Sequence, residues 1–520
     1  MNMITRKCTT TLVKSPTQHI IAHLQTLWKG WAHSAPLSSY CSNALTTPSV
    51  VTVWHPAGSA GRFSRSAVHM FTLHYSSKAE HHPKSCPGCG AAFQHHSPIS
   101  AGYVPAEAYA RKTAITPASI HKLKNSTEPL TPSQVKILIN ASKQKKDIPI
   151  CQRCHNLKHH NYSQVPASFH TNHSQFKSLK THVGGLVVLI VDIYDLPCTL
   201  LSNLRDLVGI KNVIVAINKS DLIPRLEDPR IYVDWVRRRI QGGARTVSIV
   251  PISARLGTGI DDLISAIVHN RKPNEDIYMM GVTNVGKSAV INQMITHAGH
   301  DAFLTTSNFA GTTLSPIPVP LSSFGPLFFP NYVGDISDPD HDIYKDKGRM
   351  IDTAGAYNYQ QLTHFLDSSE FQLVVPKHPI KPRKILLKPG YSVWFGALVR
   401  FEVIETKVAS HFWYYGCNDF PIHACKESKV RSLWEEHAGV SKDLLTPPFG
   451  KDRINLLPPF SVALESRYKG GLKEGVRIWL GGLGWIVLYG QVHFRMWTPG
   501  GVGIHMDTDS SPTNARKIVL

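Results

Sequence analysis

The 520-residue sequence predicts an α/β protein built on a parallel sheet, with a Cys/His-rich segment before it and a mixed, β-rich region after it. Three observations predict this. Between about 170 and 360, apolar runs such as Gly184-Gly-Leu-Val-Val-Leu-Ile-Val-Asp192, Lys211-Asn-Val-Ile-Val-Ala-Ile217 and Val247-Ser-Ile-Val-Pro-Ile252 alternate with helical patterns, as parallel sheets require. Two C-x-x-C pairs precede them in a basic stretch. Beyond 365 the chain is richer in aromatics, glycine and short alternating runs. The expected divisions are 1–75, 80–165, 170–365 and 366–520.

The first division differs in kind from the rest. Residues 1–79 hold seven Lys/Arg and no acidic residue; the first is Glu80. Ile20, Ile21, Leu24, Leu27, Trp28 and Trp31 fall on one helical face. Basic, Ser-rich and amphipathic, this is the composition of a mitochondrial transit peptide. A disordered basic tail that binds nucleic acid is the other reading. No run of about 18 apolar residues occurs, so no membrane-spanning helix is expected. The net charge of +20 favours polyanionic partners, nucleic acid or an anionic membrane surface.

The chemistry begins at Gly281-Val-Thr-Asn-Val-Gly286-Lys287-Ser288, a complete phosphate loop between a strand-like run, Asp276–Met280, and a helical stretch. Glycines let backbone N–H groups converge on phosphate oxygens, and the following helix adds its positive end. Gly281, Asn284, Val285, Gly286, Lys287 and Ser288 are the expected phosphate contacts. Lys287 should reach the β- and γ-phosphates, and Ser288 should ligate Mg²⁺.

The base is read earlier in the chain. Asn218-Lys219-Ser220-Asp221 follows the strand Val213–Ile217. The Asp221 carboxylate suits guanine's N1–H and exocyclic amine, which adenine does not offer. Asn218 suits the acceptor edge of the ring, and the Lys219 stem can cover its face. Ser253 and Ala254, at the end of the next strand, place backbone near the guanine oxygen. GTP and GDP are therefore the expected ligands.

Two switch elements follow the phosphate loop. In Gly311-Thr312-Thr313, Thr313 is the candidate sensor of Mg²⁺ and γ-phosphate. In Asp352-Thr-Ala-Gly355, Asp352 should hold Mg²⁺ through water and the Gly355 N–H should meet the γ-phosphate. Lys287, Thr313, Asp352 and Gly355 form the expected catalytic set. The motif order, base-reading first and phosphate loop later, is rotated relative to ordinary GTPases. Because every motif lies on a loop at the carboxyl end of a strand, rotation preserves the site while sending the chain from switch two directly into the carboxyl-terminal region. Ala356 stands where Ras-like enzymes carry a water-orienting Gln, so intrinsic hydrolysis should be slow. Asn284 resembles the residue that recruits K⁺ in related GTPases, which makes K⁺ a candidate cofactor; a simple loop-capping Asn is the other reading.

Cys86-Pro-Gly-Cys89 and Cys151-Gln-Arg-Cys154 each present two thiolates, enough together for one structural Zn²⁺. Cys151–His155 also fits the c-type haem pattern, which leaves the first pair unexplained, and a redox dithiol is a third reading. His155, His159 and His160 are expected to face solvent or RNA, with Arg153, Lys158 and Lys143–Lys146 offering a phosphate-backbone contact. The basic stretch Lys377–Lys384, followed by aromatic runs near Trp394 and His411–Tyr415, suits either RNA contact or a solvated linker.

Taken together, Cys-Pro-Gly-Cys-Gly90, Gly102-Tyr-Val-Pro105, Cys151-Gln-Arg-Cys-His-Asn-Leu-Lys-His159, Val191-Asp-Ile-Tyr-Asp195, the rotated GTPase motifs, Asn418–His423 and Gly482-Leu-Gly-Trp485 resemble the YqeH-like circularly permuted GTPases, in their mitochondrial branch of nitric-oxide-associated proteins and genetic interactors of prohibitins. The resemblance implies a circularly permuted P-loop GTPase domain between an N-terminal zinc finger and a C-terminal β-rich interaction domain. It also implies a matrix protein that assists assembly of the mitochondrial small ribosomal subunit, contacting its rRNA or precursor. A GTP-binding scaffold peripheral to the inner membrane, with vestigial hydrolysis, is the alternative. Ala310 and Ala354 replace the prolines usual in relatives, and Leu314–Gly348 is a longer, Pro-rich insertion containing Asp335–Asp340.

Overall fold

The computed structural model describes residues 84–113, 149–160, 180, 184–201, 203–224, 228–240, 243–306, 311–329, 346–407 and 410–507. The expected presequence, Lys143–Lys146 and Asp335–Asp340 lie outside the described residues.

Six strands build the first sheet: β1 (Leu186–Asp192), β2 (Asn212–Asn218), β3 (Arg245–Pro251), β4 (Ile277–Met280), β5 (Ile317–Pro320) and β6 (Arg349–Asp352). Their spatial order is β3-β2-β1-β4-β6-β5. All neighbours are parallel except β5, which runs antiparallel to β6 at the edge. The apolar runs that predict these strands owe their continuity to cover on both faces: all seven residues of β1 are buried. The chain leaves edge strand β3 and returns to central β4 through one helix, Ile260–Asn270. That helix buries Ile260, Leu263, Ile264 and Ile267, one stripe at helical spacing, and carries Asp261 and Asp262 in its first turn, where the helix dipole favours acidic groups. This crossover is what the rotated motif order demands of the chain.

The carboxyl-terminal region forms two five-stranded sheets. One, in the order β16-β13-β14-β10-β7, comprises β7 (Arg383–Leu386), β10 (His411–Tyr415), β13 (Gly475–Leu480), β14 (Gly484–Tyr489) and β16 (Ile504–Met506). The other, β11-β8-β9-β15-β12, comprises β8 (Tyr391–Phe395), β9 (Val399–Thr406), β11 (Ile422–Lys426), β12 (Phe460–Lys469) and β15 (Gln491–Pro499). Where the sequence suggests a mixed region, every strand pairing described here is antiparallel, and the connections are short except for the helical segment between β11 and β12.

The first of these sheets is buried on both faces, and strand alternation sorts its side chains between two cores. Phe412, Tyr414, Ile478, Leu480, Ile486 and Leu488 face the second sheet and pack with Phe395, Phe401 and Phe494. Tyr415, Trp479, Trp485, Val487 and Tyr489 face the other way and join the core of the parallel sheet. There they meet the helix Arg230–Arg239: Trp485 packs edge-on to Tyr232 at 6.3 Å, and Trp479 lies 6.1 Å from Trp235. The buried Arg477 guanidinium sits over Tyr232, Trp479 and Trp485 at 5.0–5.5 Å, a cation–π contact shielded from water. Among the described residues, no helix is long and apolar enough to cross a membrane.

Candidate nucleotide site and cysteine knuckle

The phosphate loop leaves central β4 and runs into the helix Lys287–His297. Two of its glycines are required by geometry. A Cβ on Gly281 would lie 2.4 Å from the Ile190 carbonyl oxygen, and one on Gly286 (φ 92°) would lie 2.5 Å from Asn218 Nδ2. Asn284 also takes a left-handed φ of 62°, as do few non-glycine residues. Lys287 is buried, and its ammonium donates to the Gly281 and Val282 carbonyls at 3.3 and 2.9 Å. Burial lowers its pKa to about 8, against an opposing pull from Asp352.

Around the first helical turn, three oxygen-bearing side chains converge. Ser288 Oγ donates to Asp352 Oδ2 at 2.7 Å, Thr313 Oγ1 donates to the same oxygen at 3.0 Å, and the two hydroxyls stand 3.1 Å apart. Asp352 Oδ1 is buried without a hydrogen-bond partner, and burial raises the carboxyl's pKa. Neighbouring ligands of octahedral Mg²⁺ stand about 2.9 Å apart, given Mg–O bonds of about 2.0–2.1 Å. The observed spacing and the free carboxylate oxygen fit that ion.

Switch two is stitched to the phosphate loop through its backbone. Ala356 N donates to Gly281 O at 3.0 Å, and Thr283 N donates to Ala356 O at 2.9 Å. A Cβ on Gly355 would lie 2.8 Å from Thr283 N, so this close passage needs glycine. Ala356 itself is fully buried, and its methyl has no group with which to orient water.

The base-reading residues lie at the ends of β2 and β3. Asn218, 2% exposed, donates through Nδ2 to Val285 O at 2.8 Å and accepts from Ala254 N at 3.0 Å. Asp221 is held at both oxygens, by Ser253 Oγ at 2.6 Å and Arg255 Nε at 2.9 Å. Lys219, at φ 64°, pairs with the Asp192 carboxylate. The structure thus brings together every nucleotide-site residue named from the sequence. Asp192 and the clamp role of Arg255 are additions that the motifs alone did not assign. Arg255 further donates to Lys377 O, and Ile380 N to Leu222 O, so the basic stretch Lys377–Lys384 starts against the base-reading loop. Within that stretch Arg383 turns inward to the Cys417 and Phe420 carbonyls, a packing role rather than an RNA-facing one.

The four cysteines close into one cluster. Cys86, Cys89, Cys151 and Cys154 are fully buried, and all four sulfurs lie within 4.8 Å of one another. Cys86–Cys154 and Cys89–Cys151 sulfurs are 3.7 Å apart, far beyond a disulfide bond of about 2.05 Å. Four thiolates at about 2.3 Å from a tetrahedral ion would stand about 3.8 Å apart, so the donor set fits Zn²⁺. His155, His159 and His160 are exposed on the helix Gln152–His160, as the sequence suggests. Arg153 is not. Instead of facing RNA, it is buried and donates to the Gly311 and Thr312 carbonyls at 2.6 and 3.0 Å. No sequence signal joins positions so far apart.

Comparison with known proteins agrees with this geometry. The family model described as "50S ribosome-binding GTPase" matches residues 276–380, and the model "YqeH-like, C-terminal" matches residues 409–509. The chain is a circularly permuted GTPase. A Bacillus subtilis (strain 168) protein, "Uncharacterized protein YqeH", is 31% identical over 409 residues, 78% of this chain and 92% of that protein. Mouse nitric oxide-associated protein 1 is 25% identical over 543 residues, covering 81% and 74% of the two chains. The Arabidopsis thaliana "NO-associated protein 1, chloroplastic/mitochondrial" is 27% identical over 326 residues, covering 59% of this chain and 54% of that one. The chain belongs to the YqeH-like family of circularly permuted GTPases.

Proposed function

We propose that this chain is a GTP-dependent assembly factor for the mitochondrial small ribosomal subunit, hydrolysing GTP slowly unless a partner or K⁺ assists. One observation carries the nucleotide half of this reading: Asn218, Asp221 and Ser253 stand beside the phosphate loop, tied to it through Asn218 and Val285. In this role Lys287 binds the β- and γ-phosphates. Ser288, Thr313 and Asp352 hold Mg²⁺ directly or through water, and the Gly355 N–H meets the γ-phosphate. Asp221 exchanges its Ser253 and Arg255 partners for guanine's N–H groups. Asn284, in its left-handed turn, is positioned on the loop as the candidate K⁺ ligand.

Three observations support the ribosomal half. The net charge is +20, the matching GTPase model carries a ribosome-binding description, and the acid-free first 79 residues suit import into mitochondria. That family is described by binding to the 50S subunit, whereas the small subunit follows from the resemblance to YqeH-like GTPases. RNA crosslinking of the full chain in its GTP and GDP states separates them: small-subunit rRNA enriched in one state supports the proposal, while large-subunit rRNA or no rRNA contradicts it.

The buried Ala356 favours a second reading, a GTP-binding scaffold peripheral to the inner membrane with vestigial hydrolysis. Membrane association that carbonate washing releases, without ribosome contact, would favour that reading. Salt-sensitive co-sedimentation with small-subunit particles would favour the first.

A further inference from the structure

We propose that Arg153, on the cysteine knuckle, is a positioning residue for the nucleotide site: with the Cys89 carbonyl it holds switch one so that the Thr313 hydroxyl faces Ser288 and Asp352. The inference rests on the assignment of that site to GTP.

The knuckle grips the loop on both sides of Thr313. Upstream, the two terminal nitrogens of Arg153 donate to Gly311 O and Thr312 O at 2.6 and 3.0 Å. Downstream, Cys89 O accepts from Leu314 N at 2.9 Å and from Ser315 N at 3.2 Å. Between these grips, the Thr313 side chain is directed at Asp352 Oδ2. Arg153 is buried, its Nε has no hydrogen-bond partner, and among the described residues it pairs with no carboxylate. A buried guanidinium held only by two loop carbonyls is a costly arrangement for mere structural cement, since its desolvation is repaid only in part. Its two-pronged donor geometry instead fixes the orientation of two successive peptide units, which a lysine would not do.

The glycines of Cys-Pro-Gly-Cys-Gly serve the same approach. A Cβ on Gly88 would fall 2.2 Å from Thr305 Oγ1, and one on Gly90 would fall 2.5 Å from Ser315 O. Neither clash involves the sulfur cluster directly, although the Gly88 position also stands 3.1 Å from Cys154 Sγ. The small residues between and after the cysteines therefore make room for switch-one neighbours. Leu314 completes the contact by packing on the cysteine cluster itself.

Nucleotide state and knuckle are coupled by this arrangement. GTP engages Thr313 through Mg²⁺ and the γ-phosphate, whereas GDP offers no γ-phosphate for it to sense. Loosening the Arg153 grip should then weaken GTP retention selectively. The test compares dissociation of a fluorescent non-hydrolysable GTP analogue and of fluorescent GDP from the full chain and from Arg153→Ala, with metal content and thermal stability checked in both. We expect the GTP analogue to leave about tenfold faster from the variant, the loss of roughly one charge-assisted hydrogen bond, and GDP to change less than about twofold. Arg153→Lys should fall between. An unchanged ratio of GTP to GDP dissociation in a folded, metal-loaded variant overturns the inference.

Should both variants fail to fold, hydrogen exchange on the wild type decides. Amides of 86–90 and 311–315 should gain protection together when GTP replaces GDP; knuckle amides indifferent to the exchange overturn the proposal. If the wild type binds neither nucleotide, the GTP assignment beneath it falls as well, an outcome distinct from nucleotide binding without selectivity at Arg153.

Discussion

Asn218 donates to the Val285 carbonyl at 2.8 Å, joining the base-reading loop to the phosphate loop across 67 positions of sequence. The same side chain accepts from Ala254 N at 3.0 Å. One amide therefore braces three motifs whose order along the chain is rotated, and it does so because β2, β3 and β4 run parallel in one sheet, with β1 between β2 and β4, and bring their carboxyl ends to the same side.

Replacing Asn218 with Ala would strand the Val285 carbonyl and the Ala254 N–H in a site only 2% exposed. Unsatisfied buried groups of this kind cost about 1–3 kcal/mol each, so we expect a stability loss of about 2–4 kcal/mol. GTP and GDP affinity should fall together, because both share the base and the loop. Chemical denaturation and nucleotide titration of the variant measure the two effects.

This brace also marks how much the sequence discloses. Glycine positions, strand ends and side-chain chemistry locate Asn218, Asp221, Lys287, Ser288 and Asp352, because each requirement is local. The Arg153 grip joins residues 158 and 159 positions apart, and no periodicity records such a pairing. Arg383 reads as basic surface, yet it turns to the Cys417 and Phe420 carbonyls, since arginine's long stem permits either fate. The β-rich character of the last region is legible in its short runs, such as His411–Tyr415, whereas the antiparallel order of its strands appears only in their pairing. What those runs did not disclose is that Tyr415 and Trp485 face the parallel sheet's core.

Lys287 makes nucleotide binding sensitive to pH. Burial lowers its pKa to about 8, and bound phosphates would favour the charged form. Above about pH 8 the free protein carries a neutral lysine that must take up a proton on binding. The dissociation constant for GTP should rise with pH there, approaching tenfold per unit, since each unit of pKa is worth about 1.4 kcal/mol. Calorimetry near pH 8.5 in buffers of different ionisation enthalpy should detect the proton taken up. A flat affinity from pH 7.5 to 9.5 would show that Lys287 does not sit on the phosphates.

Asp195 ties stability to pH in the opposite region. Burial raises its pKa from 3.8 to about 7, while the hydrogen bond from Gln361 Nε2 at 2.8 Å pulls it down in part. The folded chain thus holds a proton that the unfolded chain has released, so this group's contribution to stability declines as pH rises between about 4 and 7 and is level above. Asp195→Asn keeps an acceptor for Gln361 and removes the titration. Relative to wild type, the variant should gain stability from pH 5 to pH 7.5, by at most about 2.5 kcal/mol. Denaturant melts at the two pH values supply the comparison.

The most direct test of the rotated-motif account is nucleotide selectivity at Asp221, whose carboxylate is poised between Ser253 and Arg255. Competition against a fluorescent guanine nucleotide should show GTP and GDP displacing it at least about 100-fold more effectively than ATP, because a buried site built to hydrogen-bond one base rejects another strongly. Asp221→Asn should lose that guanine preference and gain affinity for xanthosine nucleotides, whose second carbonyl matches the new amide donor. Equal competition by ATP, or an Asp221→Asn variant that keeps wild-type guanine selectivity, would contradict the assignment of these separated motifs to one GTP site.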